Sequence, residues 1–188
     1  KEAFKKQVTE HKKLMKETFG VTPKTFVNTE LIYSNEIGAD VAEMGFNLMA
    51  TEGAKHVLGW KSPNYLYANS INPKLRLLLR NYKLSDALSL NFVNNSLTTE
   101  SFVEKLKECN EEVVNIFANY ETFGENYDAS TGIIDFMKYL PETIFNNTDF
   151  EYAKPIEMLD KLQTMSIFDA PIPLSSMGEE RDLSLWMG

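Results

Sequence analysis

The chain alternates between segments of helical periodicity and short apolar runs. Lys1 to Phe19 carries apolar residues at three- and four-residue steps, which predicts an amphipathic helix that ends at Gly20. Apolar runs rich in β-branched, aromatic and leucine residues predict strands at 25–27, 46–50, 65–67, 75–79, 113–118, 150–153 and 166–168. Helices are predicted between them at 36–44, 54–58, 85–92 (capped by Ser85), 100–108, 131–140 (stopped by Pro141) and 155–162.

Strands followed by helices, in units of roughly 20–35 residues, predict an α/β fold built from parallel βα units. The runs at 25–27, 46–50 and 113–118 are expected to be neighbours or near neighbours in one mostly parallel sheet. At least five strands are predicted, too few for a closed eight-stranded barrel. The stretch 169–188 is rich in proline, serine and glycine, which predicts a loop-rich tail.

Composition narrows the possible partners and compartment. The 188 residues suit one domain, and the net charge of −8 argues against nucleic acid or an anionic membrane as the main partner. Cys109 is the single cysteine, so an internal disulfide is excluded, and a reducing, cytoplasmic location is predicted. No apolar run approaches the ~20 residues of a membrane span. His11 and His56 lack ligand spacing, so no zinc site is expected.

Carboxylates follow two of the predicted strands. Glu30 lies in NTEL, and Glu121 and Glu125 lie in YETFGE. Reactive groups in α/β folds sit where strands end, and glycoside hydrolysis commonly uses two carboxyl groups that flank the scissile bond. Solvated loop glutamates or capping groups would give the same pattern. The loop aromatics Trp60 and Tyr120 can stack on a sugar face, although packing at a rim explains any one of them equally well.

Six blocks of the sequence occur together and in a recognisable order. They are FVNTELIYSNEI (26–37), VAEMGF (41–46), LGWKSPNYLY (58–67), LLLRNYKLSDAL (77–88), NYETFGEN (119–126) and ERDLSLWMG (180–188). With these blocks the chain resembles glycoside hydrolase family 57, and its α-amylase-type members in particular. The resemblance implies an incomplete (β/α)7 TIM-like barrel and a retaining mechanism on α-1,4-glucans or maltooligosaccharides. It implies no cofactor and no metal.

The resemblance also assigns roles to residues. Glu30 matches the catalytic nucleophile, and Trp60, Tyr120 and Glu125 are expected to bind substrate. Asn119 falls on the position of the general acid, where the family typically has aspartate. An amide has no ionisable proton to donate. The chain is therefore a catalytically impaired glucan-binding homologue, or carries a substitution made to trap ligand, or uses Glu121 as the acid.

Two further expectations concern extent and geometry. Blocks from the family's N-terminal region are absent, so residues 1–188 are expected to be a central fragment of the catalytic domain. Retaining enzymes hold their carboxyl groups about 5–5.5 Å apart, so a separation of about 5–8 Å is expected between the side chains of Glu30 and Asn119. Hydrolase and glucanotransferase activities are not distinguished. A scaffold domain without a sugar role is the remaining alternative.

Overall fold

The computed structural model describes residues 1–187, so Gly188, the last residue of the predicted tail, lies outside them. The described α-helices are Glu2–Phe19 (α1), Asn35–Glu43 (α2), Lys55–Leu58 (α3), Tyr82–Ser89 (α4), Thr99–Lys107 (α5), Ile133–Asn147 (α6), Met158–Lys161 (α7) and Ser184–Met187 (α8). The described strands are Thr25–Val27 (β1), Leu48–Glu52 (β2), Leu66–Asn69 (β3), Arg76–Arg80 (β4) and Thr164–Phe168 (β5). Short 3-10 turns lie at Thr29–Leu31, Tyr120–Thr122, Ala129–Thr131 and Pro155–Glu157. Within residues 1–187, no helix combines the length and apolar character needed to cross a bilayer.

The five described strands form one sheet in the order β1-β2-β4-β3-β5. The pairs β1–β2, β2–β4 and β3–β5 are parallel, and only β3–β4 is antiparallel among the described pairs. The predicted mostly parallel sheet is thus confirmed for 25–27 and for the run predicted at 46–50, whose strand begins and ends two residues later, at Leu48 and Glu52. Because β1, β2 and β4 run in the same direction, their carboxyl ends share one edge of the sheet. Glu52 and Arg80 are the last residues of β2 and β4 at that edge.

The two faces of the sheet pack against different helices because side chains alternate along each strand. Met49 belongs to a core shared with α1 and α2, which contribute Val8 and Val41. Leu48, its neighbour in β2, faces the other way and packs with Met158 of α7. A third cluster joins α4, α5 and α6. The sheet is therefore packed on both faces.

The prediction of a strand at 113–118 is wrong. The segment is extended, but its only described ladder contact is a single parallel bridge between Asn115 and Arg80. Loop backbone and side chains of the neighbouring elements bind the rest of its backbone: the Asn81 N–H donates to the Asn115 carbonyl at 2.8 Å, and the Ser85 hydroxyl accepts a hydrogen bond from the Phe117 N–H at 3.1 Å. The Asn115 amide in turn donates to the Leu79 carbonyl at 3.1 Å. The segment still runs along the carboxyl end of β4.

The predicted strand at 150–153 is also wrong. Phe150 packs on the helical cluster, whereas residues 151–153 are exposed and have no neighbouring strand in the described sheet. The start of α4 differs from the prediction as well. The Asn81 side chain, not that of Ser85, caps the helix by accepting from the Leu84 N–H at 3.1 Å. Ser85 is fully buried inside the helix and is free to hold Phe117.

Helix α6 continues past Pro141, where the sequence predicts its end. Proline removes one backbone donor and crowds the preceding turn. Phe136, Leu140 and Ile144 are nonetheless buried on one face, and the ring of Phe136 meets Phe102 of α5 edge-on at 5.7 Å. Packing of this apolar face outweighs the local cost of the proline, because most helix stability in proteins comes from tertiary contacts.

Candidate active site

Glu30 adopts a backbone conformation that is rare for a residue with a side chain. It lies three residues past the end of β1 with φ 47° and ψ 31°, and Leu31 follows with φ 52°. Each left-handed non-glycine residue costs about 1–3 kcal/mol, so such conformations persist only where surrounding contacts hold them. They occur preferentially at functional sites. The strain therefore marks this turn, and the carboxylate that it presents, as a candidate site.

Hydrogen bonds from two other parts of the chain hold the strained turn. The Glu30 carbonyl accepts from the Ser176 N–H at 2.8 Å and from the Ser176 hydroxyl at 3.0 Å. The Leu31 carbonyl accepts from the Thr51 hydroxyl of β2 at 3.1 Å. Leu31 itself is buried. The turn is thus fixed between the second strand and the segment that follows β5.

Asn119 contacts the Glu30 carboxylate directly. Its side-chain N–H group lies 3.1 Å from Oε1 and 3.3 Å from Oε2 of Glu30. The expected separation of about 5–8 Å is therefore wrong, because the two groups form a hydrogen bond. The physical reason is the amide, which donates to a carboxylate, whereas two ionised carboxylates would repel at this distance. Both side chains are half-buried.

Ser176 provides a second donor to the same carboxylate. Its hydroxyl lies 3.0 Å from Glu30 Oε2 and 3.0 Å from the Glu30 carbonyl oxygen. A hydroxyl has one proton, so it is shared between the two acceptors. Asn119 and Ser176 together orient the Glu30 carboxylate and leave it partly open to solvent. This is the arrangement that a carboxylate nucleophile requires.

A cluster of four charges lies at the same sheet edge. Glu52 Oε2 accepts from Arg80 at 3.0 Å, and Asp86 Oδ1 accepts from the other end of that guanidinium at 2.7 Å. Asp86 also binds Arg181, whose guanidinium donates to the Ser176 carbonyl at 2.6 Å. Two cations and two anions balance, which is how charges can be buried without excessive cost.

The cluster also reaches the segment that carries Asn119. Arg80 Nε donates to the Phe117 carbonyl at 2.9 Å, two residues before Asn119. Arg80 is 5% exposed and Glu52 is fully buried. Burial raises the pKa of the Glu52 carboxyl, and the nearby guanidinium of Arg80, that of Arg181 and the Gly53 N–H oppose the rise. We regard Glu52 as structural, because each of its oxygens already has a partner.

Three other predicted site residues lie in the turn that begins directly after Asn119. Tyr120 is 90% exposed beside Asn119, and Glu121 and Glu125 are exposed in the turn that follows. Among the described residues, the hydrogen bonds to the Glu30 carboxylate come from Asn119 and Ser176, and Glu121 makes none. The structure thus brings Glu30 and Asn119 together and leaves the three turn residues facing solvent.

Trp60 lies elsewhere on the surface. Its ring is 87% exposed at the rim of a cavity of about 630 Å³. The loop that contains Trp60, the start of α4 and the end of α5 line this cavity, whereas Glu30 and Asn119 do not. The structure therefore does not bring Trp60 together with Glu30 and Asn119.

Sequence reasoning missed Ser176, Arg181, Asp86, Arg80 and Glu52. Arg181 lies in the ERDLSLWMG block and Asp86 in the LLLRNYKLSDAL block. These blocks contribute to the family resemblance, but the resemblance assigns no role to either residue. The sequence does carry a signal for Glu52, because this carboxylate follows the apolar run predicted at 46–50 just as Glu30 follows the run at 25–27. Ser176 carries no local signal, since its partner Glu30 is 146 residues away.

Comparisons with known proteins agree with the likeness seen in the sequence. Residues 1–171 match the model of glycosyl hydrolase family 57. A curated relative from Methanocaldococcus jannaschii, named "Putative alpha-amylase", is 38% identical over 192 residues. That alignment covers 98% of this chain and 41% of the relative, so the chain spans less than half of the relative's length.

A solved structure resembles the fold. The crystal structure of 4-alpha-glucanotransferase from Thermococcus litoralis matches with a TM-score of 0.66 at 17% identity, over 88% of this chain and 26% of that one. The predicted α/β fold, with parallel βα units as part of an incomplete barrel, is confirmed by this likeness. The family model matches residues 1–171, which is most of this chain. The chain therefore belongs to glycosyl hydrolase family 57.

Proposed function

We propose that this chain forms the central part of the catalytic domain of a retaining glycoside hydrolase that acts on α-1,4-glucans. One observation carries the proposal: the strained Glu30 turn presents a half-buried carboxylate to Asn119, the residue at the general-acid position. Membership of the family supports a glucan as substrate. The relative is named as an α-amylase and the structural neighbour as a glucanotransferase, so these names fit either hydrolysis of a glucan or transfer of a glucan chain.

Glu30 acts as the nucleophile in this proposal. A carboxylate oxygen attacks the anomeric carbon, the glycosidic bond breaks, the leaving oxygen takes a proton from Glu121 or from water, and a glycosyl ester forms on Glu30. Water then cleaves the ester with retention of configuration. Asn119 hydrogen-bonds Glu30 but cannot protonate the leaving oxygen. Exposed Tyr120 and Glu125 are suited to contact a sugar that approaches Glu30, and Trp60 to contact a more distant part of a longer chain.

The test is covalent labelling with α-maltosyl fluoride, read by intact mass and peptide mapping. Fluoride leaves without a proton, so the amide at Asn119 does not block the first step. Attack by Glu30 breaks the carbon–fluorine bond and releases fluoride, and the ester remains on Glu30. Its hydrolysis needs a base to activate water, so the ester should accumulate. Glu30→Gln is the control that should not be labelled.

Glu121→Gln tests the alternative acid. If Glu121 serves as acid and base, the unaltered protein should release fluoride continuously, and the ester should accumulate only in Glu121→Gln. If Asn119 leaves the site without a base, both proteins should accumulate ester at Glu30. Absence of any ester and of fluoride release, in a folded protein, would contradict the catalytic proposal.

A second function, a glucan-binding homologue without turnover, is favoured by the amide itself. The hydrogen bond from Asn119 satisfies Glu30 without adding a second negative charge. Calorimetric titration with maltooligosaccharides separates the two proposed functions. Binding of maltooligosaccharides by a protein that α-maltosyl fluoride does not label would support the glucan-binding function. Lack of both would leave a domain with no sugar role. A cytoplasmic location stays a prediction from the sequence.

A further inference from the structure

Three tertiary contacts connect Arg181 to Glu30. The guanidinium of Arg181 binds the Asp86 carboxylate through one nitrogen and donates to the Ser176 carbonyl through the other at 2.6 Å. The next contacts run from the Ser176 N–H to the Glu30 carbonyl at 2.8 Å and from the Ser176 hydroxyl to Glu30 Oε2 at 3.0 Å. Each step is a direct hydrogen bond; Ser176 lies five residues from Arg181 in the sequence and 146 from Glu30.

The anchor of this chain of contacts is rigid. Asp86 also receives Arg80 at 2.7 Å, and Arg80 bridges to the fully buried Glu52 at 3.0 Å. The side chain of Arg181 is itself only 12% exposed. The planar guanidinium can hold Asp86 and the Ser176 carbonyl at the same time in fixed geometry, which a lysine cannot do.

The backbone that carries Ser176 is irregular and is held by hydrogen bonds. The buried Ser175 beside it donates its N–H to the Arg181 carbonyl at 3.1 Å, and its hydroxyl lies 3.3 Å from the Glu30 carbonyl oxygen. Residues 171–173 and 176–183 lie outside any helix or strand, apart from one bridge between Leu174 and Asp182. Leu174 also pairs with Tyr33 on the other side. The position of Ser176 therefore depends on the contacts that flank it, and Arg181 supplies the charged one.

We propose that Arg181 is a positioning residue: it holds Ser176 against the strained Glu30 turn by tying Ser176 to Asp86, and so sets the direction of the Glu30 carboxylate. The effect of Arg181 on catalysis by Glu30 rests on the proposed function. The contact between Arg181 and Ser176 rests on the geometry alone. Arg181 touches neither Glu30 nor, in this arrangement, a substrate. It acts through Ser176.

The first test measures the rate constant of labelling by α-maltosyl fluoride in Arg181→Ala, Arg181→Lys and Ser176→Ala. A misplacement of about 1 Å can cost on the order of 10²-fold in rate, so a fall of that order is expected for Arg181→Ala at saturating fluoride. The concentration that gives half the maximal rate should change far less, because Arg181 does not bind the sugar. Glu179→Ala, an exposed neighbour in the same segment, is the matched control.

Two further readouts separate positioning from a general loss of stability. Because Arg181 acts through Ser176, the double variant Arg181→Ala/Ser176→Ala should lose less than the product of the two single losses. Millimolar guanidinium, but not ammonium, should restore part of the rate in Arg181→Ala. If Arg181→Ala is poorly folded, Arg181→Lys carries the test, and we expect it to be slow because an ammonium lacks the planar pair of nitrogens that spans the two acceptors.

The second test is independent of chemistry. Amide hydrogen exchange at Ser176 should be faster in Arg181→Ala than in the unaltered protein, while exchange in β2 and β4 stays unchanged. Unchanged protection at Ser176, or labelling of Arg181→Ala at the rate of the unaltered protein, would overturn the inference. An unaltered protein that is not labelled would refute the proposed function, and exchange at Ser176 would still decide whether Arg181 holds it.

Discussion

Replacement of Asn119 by aspartate should convert the site into one with a proton donor. The amide nitrogen lies 3.1 Å from Glu30 Oε1, so an isosteric carboxyl group would stand in direct contact with the Glu30 carboxylate. Two unit charges at that distance repel by about 5 kcal/mol at an effective dielectric constant of about 20, before discounting for partial exposure. One carboxyl group of the pair should therefore keep a proton at moderate pH.

The expected gain appears in the turnover of unactivated maltooligosaccharides. A positioned general acid contributes typically about 10²–10⁴-fold, so Asn119→Asp should raise the rate within that range if Glu30 is the nucleophile. The assay is release of reducing ends from maltooligosaccharides, with α-maltosyl fluoride as the comparison. The gain on the fluoride should be smaller in the first step, because that leaving group needs no proton.

The same substitution should change stability with a definite sign. At about pH 8 it replaces a charge-assisted hydrogen bond, worth about 1.5–3 kcal/mol, by a pair of repelling carboxylates. The folded pair holds a proton more tightly than the unfolded chain does, so the stability of Asn119→Asp relative to the unaltered protein should fall as pH rises. Urea titrations at about pH 5 and pH 8 measure this difference.

Asn94→Asp is the matched control, because Asn94 is exposed and the substitution adds the same charge. It should alter neither the rate nor the pH dependence. If Asn119→Asp behaves like Asn94→Asp in both assays, the two side chains are not in contact in solution. The assignment of Glu30 and Asn119 to one site would then be refuted. A stability effect without a gain in rate would instead favour the glucan-binding function.

Three further substitutions test the surroundings of the site by urea unfolding. A Cβ on Gly53 would lie 2.3 Å from the Arg80 carbonyl oxygen, so Gly53→Ala should cost about 2–3 kcal/mol, and an unchanged midpoint would contradict this packing. Pro141 lies inside α6 at an exposed position, so Pro141→Ala should add about 1–3 kcal/mol, and a loss would refute our account of that helix. Burial raises the pKa of Glu52 above its ordinary 4.5. The folded state therefore binds a proton more readily, and stability relative to Glu52→Gln should fall as pH rises from 4.5 through the raised value, whereas a rise with pH would contradict the direction of the shift.

Much of the sheet could be predicted because its signals are local. The apolar runs behind β1, β2 and β4 are short, are separated by helical periodicity, and recur in the order that parallel strands require. The extended segment at 113–118 shows where such signals end. Its composition is that of a strand, but whether its backbone pairs with a strand or with side chains depends on Ser85 and Arg80, which lie more than 30 positions earlier. No local pattern encodes that choice.

The candidate site was likewise predictable only in part from the sequence. Glu30 and Asn119 follow apolar runs, so their convergence at one sheet edge could be anticipated from the order of the strands. The expected distance between them was wrong, because it applied the spacing of two carboxyl groups to a carboxylate and an amide, which form a hydrogen bond. The role of Ser176 lay beyond sequence reasoning, since a serine in a loop-rich stretch has no distinguishing feature until Arg181 and Asp86 place it.

The charge balance around Glu30 explains why an amide is tolerated at position 119. The cluster of Glu52, Arg80, Asp86 and Arg181 sums to zero, so it offers no spare positive charge to a second carboxylate. With asparagine the site carries one negative charge with two donors, and nothing must be protonated for the fold to be stable. With aspartate a proton must be retained, and that proton is the one the leaving group would receive. The substitution should therefore change the rate far more than the affinity for maltooligosaccharides, since sugar hydroxyls bind either side chain through hydrogen bonds.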